Sequence, residues 1–263
     1  MADRAIRPLI DAVSEAADHA LTLWAGGKTR VERWEKSPGE PVCEADIAVN
    51  HMLRASLRAI DPDAGWLSEE TVDNQDRLST DRLWVVDPID GTRDYLGGRP
   101  GWAVSVALVQ DGEAIIGILA APARNELWVA QAGQGARRNG TLLSASGRTR
   151  LPGARVPSDV LPRADSDLRT VHKPNSIALR MAMVAADEAD LVATIRWGNE
   201  WDIAASALIA QEAGATVTDA LGGKLRFNRP VPSAFGVLCC APAIHDAAVE
   251  RLRGRVEAVL AKE

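Results

Sequence analysis

The 263-residue chain carries 30 Lys and Arg against 36 Asp and Glu, a formal net charge of −6, with 46% apolar and 25% charged residues. These proportions exclude a collagen-like, coiled-coil or disordered chain, and they suffice for a real core in one large domain or two lobes. The acidic balance speaks against a nucleic-acid polymer as partner, which needs a basic stripe, but not against a small anionic substrate, because a bound metal ion reverses the local charge.

The three cysteines are Cys43, Cys239 and Cys240. They form no Cys-x-x-Cys pair, so no disulfide framework is expected, as suits a reducing compartment. The start, Met1-Ala2-Asp3-Arg4, has no apolar signal core after it. No run of about 18 apolar residues suggests a membrane span, and the expected address is the cytoplasm.

Ile6, Leu9, Ile10, Val13, Ala16, Ala17, Ala20, Leu21 and Trp24 recur at helical spacing and predict an amphipathic helix over 6–24. A polar stretch follows to Pro41. A second helix is expected over 44–60, buried through Ile47, Met52, Leu53, Leu57 and Ile60 and ended by Asp61-Pro62-Asp63. Leu83-Trp84-Val85-Val86 reads as a buried strand stopped by Asp87-Pro88. Further strands are expected at 103–109, 114–120 and 127–131, with Asp111-Gly112 as a hairpin turn and a loop over 133–138. The Pro-, Gly- and Arg-rich segment 147–170 is the candidate boundary between lobes. Helices near 175–187, 202–213 and 242–261 then alternate with strands near 190–195, 215–218 and 235–240, a pattern of layered helices and sheets.

Three segments spend acidic groups where a core pattern does not call for them: Trp66-Leu67-Ser68-Glu69-Glu70, Asp87-Pro88-Ile89-Asp90-Gly91-Thr92 and Asn199-Glu200-Trp201-Asp202. A strand that delivers Asp87 at its end, a Pro88 that turns the chain and an Asp90 three residues on can aim two carboxylates at one spot, with the Ile89 carbonyl between them. Gly91 permits close backbone approach, and Thr92 opens a possible helix whose free N–H groups suit a phosphate. Mg²⁺ takes oxygen ligands of this kind. Each segment alone also has a plain structural reading: an Asx turn at Asp87, an N-cap at Asp202, a solvated acidic turn at Glu69-Glu70. One metal–phosphate site accounts for all three together.

Asp87-Pro88-Ile89-Asp90-Gly91-Thr92, with Ser68-Glu69-Glu70 upstream and Glu200-Trp201-Asp202-Ile203-Ala204-Ala205 downstream, resembles the inositol monophosphatase-like family of Mg²⁺-dependent, lithium-sensitive phosphatases over most of the chain. Within that family, the segments Glu35-Lys36 to Asp46-Ile47, Leu67 to Glu70 and Glu200 to Asp202 are most similar to bacterial 3′(2′),5′-bisphosphate nucleotidases. The resemblance implies an α/β protein with the layered αβαβα sandwich of the sugar and inositol phosphatases. It would comprise an α+β lobe over 1–150 and an α/β lobe over 151–263, with the site in the cleft and a homodimer as a common assembly. It implies that Glu69, Asp87 and the Ile89 carbonyl hold one Mg²⁺, that Asp87, Asp90 and Asp202 hold a second, and that a third sits by Glu69. Gly91 and Thr92 would bind the scissile phosphate, alongside Glu69, Ile89, Asp90 and Asp202. Asp46 would join Thr92 and Glu69 in orienting the attacking water. The implied reaction is hydrolysis of adenosine 3′,5′-bisphosphate to AMP and phosphate by in-line attack of water, with no covalent His or Cys intermediate. Inositol monophosphate, histidinol phosphate or a sugar phosphate is the alternative substrate, and a non-catalytic regulatory binding protein of the same fold the remote one.

Two positions depart from the family pattern: Cys43 stands where Thr is common before Asp46, and Ser206 where Gly is usual. A thiol is a weak acceptor, so the second helix is expected to be capped more weakly. Gly26-Gly27-Lys28-Thr29 imitates a P-loop end but lacks the earlier Gly, since position 22 is Thr22. His19, His51, His172 and His245 lack metal-ligand spacing. Trp66, Trp84 and Trp201 are read as packing around the acidic motifs. Lys36, Arg93, Arg99, Lys173, Arg180 and Arg196 are surplus cations near them, from which a second phosphate of a substrate can draw partners.

Overall fold

The structure is a computed structural model that describes residues 2–24, 31–37 and 39–261. The Gly26–Thr29 string lies outside the described residues. Helix α1 (Ala2–Leu23) precedes a hairpin of β1 (Arg33–Ser37) and β2 (Glu40–Cys43), which leads into α2 (Glu44–Ile60). Then come β3 (Gly65–Ser68), β4 (Arg82–Asp90), a short α3 (Thr92–Leu96), β5 (Ala103–Gln110), β6 (Glu113–Ala121), β7 (Glu126–Gln131), β8 (Ala136–Arg138) and β9 (Thr141–Leu142). Strands β3 to β9 form one sheet in sequence order, parallel between β3 and β4 and antiparallel elsewhere. Strands β10 (Arg155–Pro157) and β11 (Arg169–Val171) make a small parallel pair. The chain continues through α4 (Ile177–Ala185), β12 (Leu191–Asn199), α5 (Glu200–Glu212), β13 (Thr216–Thr218), β14 (Ser233–Cys240) and α6 (His245–Leu260). In the three-stranded sheet β14 lies between β12 and β13.

The period of two along a strand sorts its side chains between two faces, and it is this sorting that stacks the layers. On β4, Trp84 and Val86 enter a core shared with α1 and α2. Leu83 and Val85 enter the opposite core, shared with α4 and α5. On β14, Val237 and Cys239 belong to that second core, while Leu238 and Cys240 belong to a third with α6. The order is therefore α1/α2, large sheet, α4/α5, small sheet, α6: an αβαβα sandwich. Helix α5 is apolar on every side, with Ile203, Ala204, Ala205, Ala207, Leu208, Ile209 and Ala210 all buried, because it has a sheet on each face. Its approach to β6 is so close that a Cβ added at Gly117 would lie 2.6 Å from the Ala205 carbonyl oxygen. Each fully buried Val or Leu contributes about 1.5–3 kcal/mol, so β4, with Leu83, Val85 and Val86 buried, can carry charged groups at its end without coming loose.

Several expectations change. Pro88 does not end the strand: the ladder slips between Asp87, paired with Ser105, and Asp90, paired with Ala103. That slip is a β-bulge, which absorbs the missing N–H of proline. The expected loop over 133–138 contains β8, which prolongs the sheet edge. Segment 147–170 contains β10 and the start of β11, and the hairpin β1–β2 takes up the end of the stretch read as merely polar and runs two residues past it. The Asp111-Gly112 turn is as expected, with both residues at positive φ, 52° and 77°. Trp66 and Trp84 pack in the first core and Trp201 against the second. Cys239 and Cys240 are free and buried.

Candidate metal centre

Strand β4, next to the edge of the large sheet, delivers Asp87 and Asp90, 1% and 7% exposed, at its own C-terminal end. The bulge at Pro88 lets both carboxylates face one side. Asp87 Oδ1 accepts the Ile89 N–H at 3.0 Å, an Asx turn. Gly91 sits at φ +97°, and a Cβ there would meet the Gly101 carbonyl oxygen at 2.7 Å and the Ser176 nitrogen at 2.9 Å. Only glycine fits that conformation and that space. Thr92 opens α3, with its hydroxyl 3.0 Å from the Ile89 carbonyl oxygen and 3.4 Å from Asp46 Oδ1. Tyr95 pins this short helix by donating its hydroxyl to the Ala20 carbonyl at 2.9 Å and meeting Trp102 edge to face.

Asp46 lies in the first turn of α2. Its Oδ2 accepts both the Cys43 N–H and the Cys43 thiol at 2.9 Å. The thiol therefore serves as a donor to the carboxylate, and burial, with the Asp46 charge second, pushes it up to about 12. The Cys43 departure thus leaves Asp46 inside its capping position and free to present Oδ1 to Thr92.

Asp202 comes from the other half of the chain. Helix α5 begins at Glu200, so Asp202 is its third residue and not the N-cap of the sequence reading; Asn199 is the cap. Asp202 Oδ2 accepts the Asn199 N–H at 3.1 Å. One ligand atom from each of Asp87, Asp90 and Asp202 lies within 4.8 Å of the others.

Three carboxylates so close in a poorly solvated place resist ionisation. Burial, then the charges of Asp90 and Glu69, pushes Asp202 up to about 8. Burial raises Asp90, and Ser176 Oγ, the Ala178 N–H at 2.7 Å and Arg180 limit the rise to about 6. Asp87 is raised well above its ordinary value by burial, then by Glu69, Asp90 and Asp202. Asp46 rises to about 7, chiefly by burial. A divalent cation relieves all of these at once, and the donor set, carboxylate oxygens only, is that of a hard ion.

Glu69 falls outside the three-carboxylate group. Its Oε1 accepts Lys36 Nζ at 2.9 Å, and Glu70 Oε1 takes the same ammonium. Its charge still acts on Asp87 and Asp202. The site therefore contains Asp87, Asp90 and Asp202 together, Asp46 with Thr92 and the Ile89 carbonyl beside them, and Glu69 at the rim under Lys36.

The profile of the Inositol monophosphatase family matches residues 2–257. The chain belongs to that family. A Thermotoga maritima protein named fructose-1,6-bisphosphatase/inositol-1-monophosphatase is 33% identical over 92% of this chain and 93% of its own. The 3′(2′),5′-bisphosphate nucleotidase CysQ of Escherichia coli O157:H7 is 30% identical over 81% of this chain and 89% of its own. Among solved structures, an IMPase of Thermotoga maritima superposes with a TM-score of 0.82 at 31% identity, covering 95% of this chain and 97% of that one. As a member of the inositol monophosphatase family the protein is a phosphoric monoester hydrolase of mixed α/β fold, and metal binding is typical of the family. No described helix is long and apolar enough to cross a membrane.

Within this family member, some residues that shape the site have roles that the sequence alone does not show. Ser176 caps α4 by accepting the Leu179 N–H at 2.9 Å and donates to Asp90. A Ser before the apolar run 177–185 is a helix-start signal, but its partner 86 residues away is not. Glu200 accepts the Asn228 and Arg229 N–H groups at 2.7 and 3.0 Å and holds the start of α5. Asp94 accepts Arg99 Nε at 2.7 Å and the Asn175 N–H at 3.0 Å, tying α3 to the start of α4. Ser206 is buried and donates within its own helix to the Ile203 carbonyl at 3.1 Å, so the departure from Gly is absorbed locally.

Proposed function

We propose that the protein is a Mg²⁺-dependent phosphomonoesterase that hydrolyses adenosine 3′,5′-bisphosphate to AMP and phosphate. The observation that carries the metal-dependent reading is the convergence of Asp87, Asp90 and Asp202 within 4.8 Å, with carboxyl groups driven far above their ordinary range. Asp87, Asp90, Asp202, Glu69 and the Ile89 carbonyl would hold two or three Mg²⁺ ions. Bound there, the metal neutralises charge on phosphoryl oxygens and makes water a stronger nucleophile.

The protein's own groups do the rest. Gly91 lets the backbone come close to a phosphate, and Thr92 offers it a hydroxyl and the N–H groups of the α3 start. Thr92, Asp46 and Glu69 orient the attacking water. A proton leaving that water passes toward Asp46 Oδ1, 3.4 Å from the Thr92 hydroxyl. Asp46, with Oδ2 held by the Cys43 N–H and thiol, keeps Oδ1 free to receive it. The nucleotide reading is supported by the 30% identity to a bisphosphate nucleotidase. The fructose-1,6-bisphosphatase/inositol-1-monophosphatase relative favours a sugar or inositol phosphate as the second reading.

Phosphate release with Mg²⁺ from adenosine 3′,5′-bisphosphate, fructose 1,6-bisphosphate and inositol 1-phosphate discriminates among these. The nucleotide should give the highest kcat/KM; a clear preference for inositol 1-phosphate overturns the substrate. Asp90→Asn keeps an oxygen for Ser176 and the Ala178 N–H, so it should fold yet lose at least about 10³-fold in kcat, the scale of removing a key charge-stabilising group. Wild-type turnover in that variant contradicts the metal site.

A further inference from the structure

Among the described residues, Arg77 is the one cationic side chain that is buried outright. A buried charge is costly unless it is paired and its donors are satisfied. Arg77 lies in the short turn Asp76–Ser79, which follows the Glu69-Glu70 segment. Its Nε and Nη2 donate to the two carboxylate oxygens of Asp73 at 3.1 and 2.7 Å, a local pairing that already neutralises the charge. Its other bonds cross to the second half of the chain. Nη1 donates to Asn228 Oδ1 at 2.7 Å and Nη2 to the Arg229 carbonyl at 3.0 Å. Asn228 Nδ2 returns a bond of 3.4 Å to the Arg77 carbonyl.

The same two residues hold Glu200 from their backbone side, through the Asn228 and Arg229 N–H groups. Glu200 in turn donates its N–H to the Pro232 carbonyl at 2.9 Å. Glu200 is the first residue of α5, and Asp202 stands two residues on. The 228–229 turn is thus clamped between the Arg77 guanidinium and the start of the helix that carries Asp202. The backbone of Arg77 meanwhile packs against β3: a Cβ added at Gly65 would lie 3.0 Å from the Arg77 Cβ and 3.1 Å from its Cα. Strand β3 ends at Ser68, and the next residue, Glu69, stays on β4 by donating its N–H to the Val86 carbonyl at 3.3 Å. One residue therefore touches both the segment that delivers Glu69 and the turn that seats Asp202. We propose that Arg77 is a positioning residue for the metal cage: by clamping the 228–229 turn under Glu200, it sets the first turn of α5, and with it Asp202, against the β3–β4 edge that carries Glu69 and Asp87. This rests on the metal-site reading of the carboxylate cluster. Arg77 touches neither metal nor substrate and acts through Asn228 and Glu200. Guanidinium suits the task because its planar fork serves three acceptor groups in fixed directions, whereas a lysine offers a single point charge.

The test is titration calorimetry of Mg²⁺, paired with urea unfolding, on full chains of wild type, Arg77→Met, Arg77→Lys, Asn228→Gly, the Arg77→Met/Asn228→Gly double variant and Arg255→Met. Asn228 stands at φ 62°, so glycine there keeps the backbone and the N–H that Glu200 needs and removes the side chain that meets Arg77. Arg255→Met breaks a two-pronged pair with Asp165 on the outer helix α6 and controls for lost stability alone. The Kd for Mg²⁺ should rise about tenfold in Arg77→Met and in Asn228→Gly, the scale of a lost hydrogen bond to a charged group. Arg77→Lys should stay as weak as Arg77→Met. The double variant should bind no more weakly than Arg77→Met, because both changes open one clamp. Arg255→Met should lower the urea midpoint and keep the wild-type Kd. Where Arg77→Met does not fold, Asn228→Gly carries the test. A wild-type Kd in Asn228→Gly, or an equal loss of affinity in Arg255→Met, overturns the positioning role and leaves the metal site standing. A wild type with no saturable Mg²⁺ uptake overturns the metal-site reading, and the positioning role with it.

Discussion

Asp202 shows at the scale of one residue why this site wants a cation. Raised to about 8, it keeps a proton at neutral pH in the metal-free protein, as Asp46 does to about 7 and Asp90 to about 6. In the unfolded chain the same groups lose their protons near their ordinary 3.8. Between those limits the native state binds more protons than the unfolded state, so stability falls as pH rises. In EDTA, the melting temperature should therefore decline from about pH 5 to pH 8.5. Added Mg²⁺ should reverse the decline, and its stabilisation should be larger at pH 8 than at pH 5.5. At a hundredfold excess over Kd the gain is about 2.7 kcal/mol, on the order of 5–10 °C for a chain of this size. Calorimetric melts check this; a metal-induced gain that shrinks with rising pH would speak against caged carboxylates.

Among the elements, α4 is the one that fixes Asp90. Ser176 accepts from Leu179 and donates to Asp90, so one hydroxyl closes the helix start and aims the carboxylate. Ser176→Ala should cost about 1–2 kcal/mol in urea unfolding, the usual value of a lost N-cap, and should weaken Mg²⁺ binding as well. An unchanged midpoint contradicts that role. The same element marks the edge of what the sequence reveals. The apolar run 177–185, the helix 44–60 and the strand around Val85 are legible because their periods are imposed by buried faces. Strand β1 is exposed along its whole length and carries no such pattern. Strands β8, β10 and β11, of three residues each, are too short to show one. In the Asp87–Thr92 string the turn and the helix start are legible because they are local, whereas the bulge at Pro88 appears only in the pairing with β5. Lys36 bridging Glu69 and Glu70, and Ser176 reaching Asp90, are tertiary contacts that no local pattern encodes.

For the whole molecule, the decisive feature is that the large sheet supplies Asp87 and Asp90 while α5, held between the two sheets, supplies Asp202. The αβαβα stack is thus the device that completes the cluster, and its layering of helices on sheets is what the alternating pattern suggested. The residues in that cluster follow from sequence motifs; their closeness follows only from the packing of α5 against β4, β5 and β6. Titration calorimetry of Mg²⁺ into the metal-free protein at pH 7.5, in two buffers of different ionisation enthalpy, addresses the shared cage directly. Saturable uptake with net proton release is predicted for wild type, and greatly weakened uptake for Asp202→Asn, which keeps an oxygen for the Asn199 N–H. Uptake without proton release, or an Asp202→Asn isotherm superimposable on wild type, would contradict it.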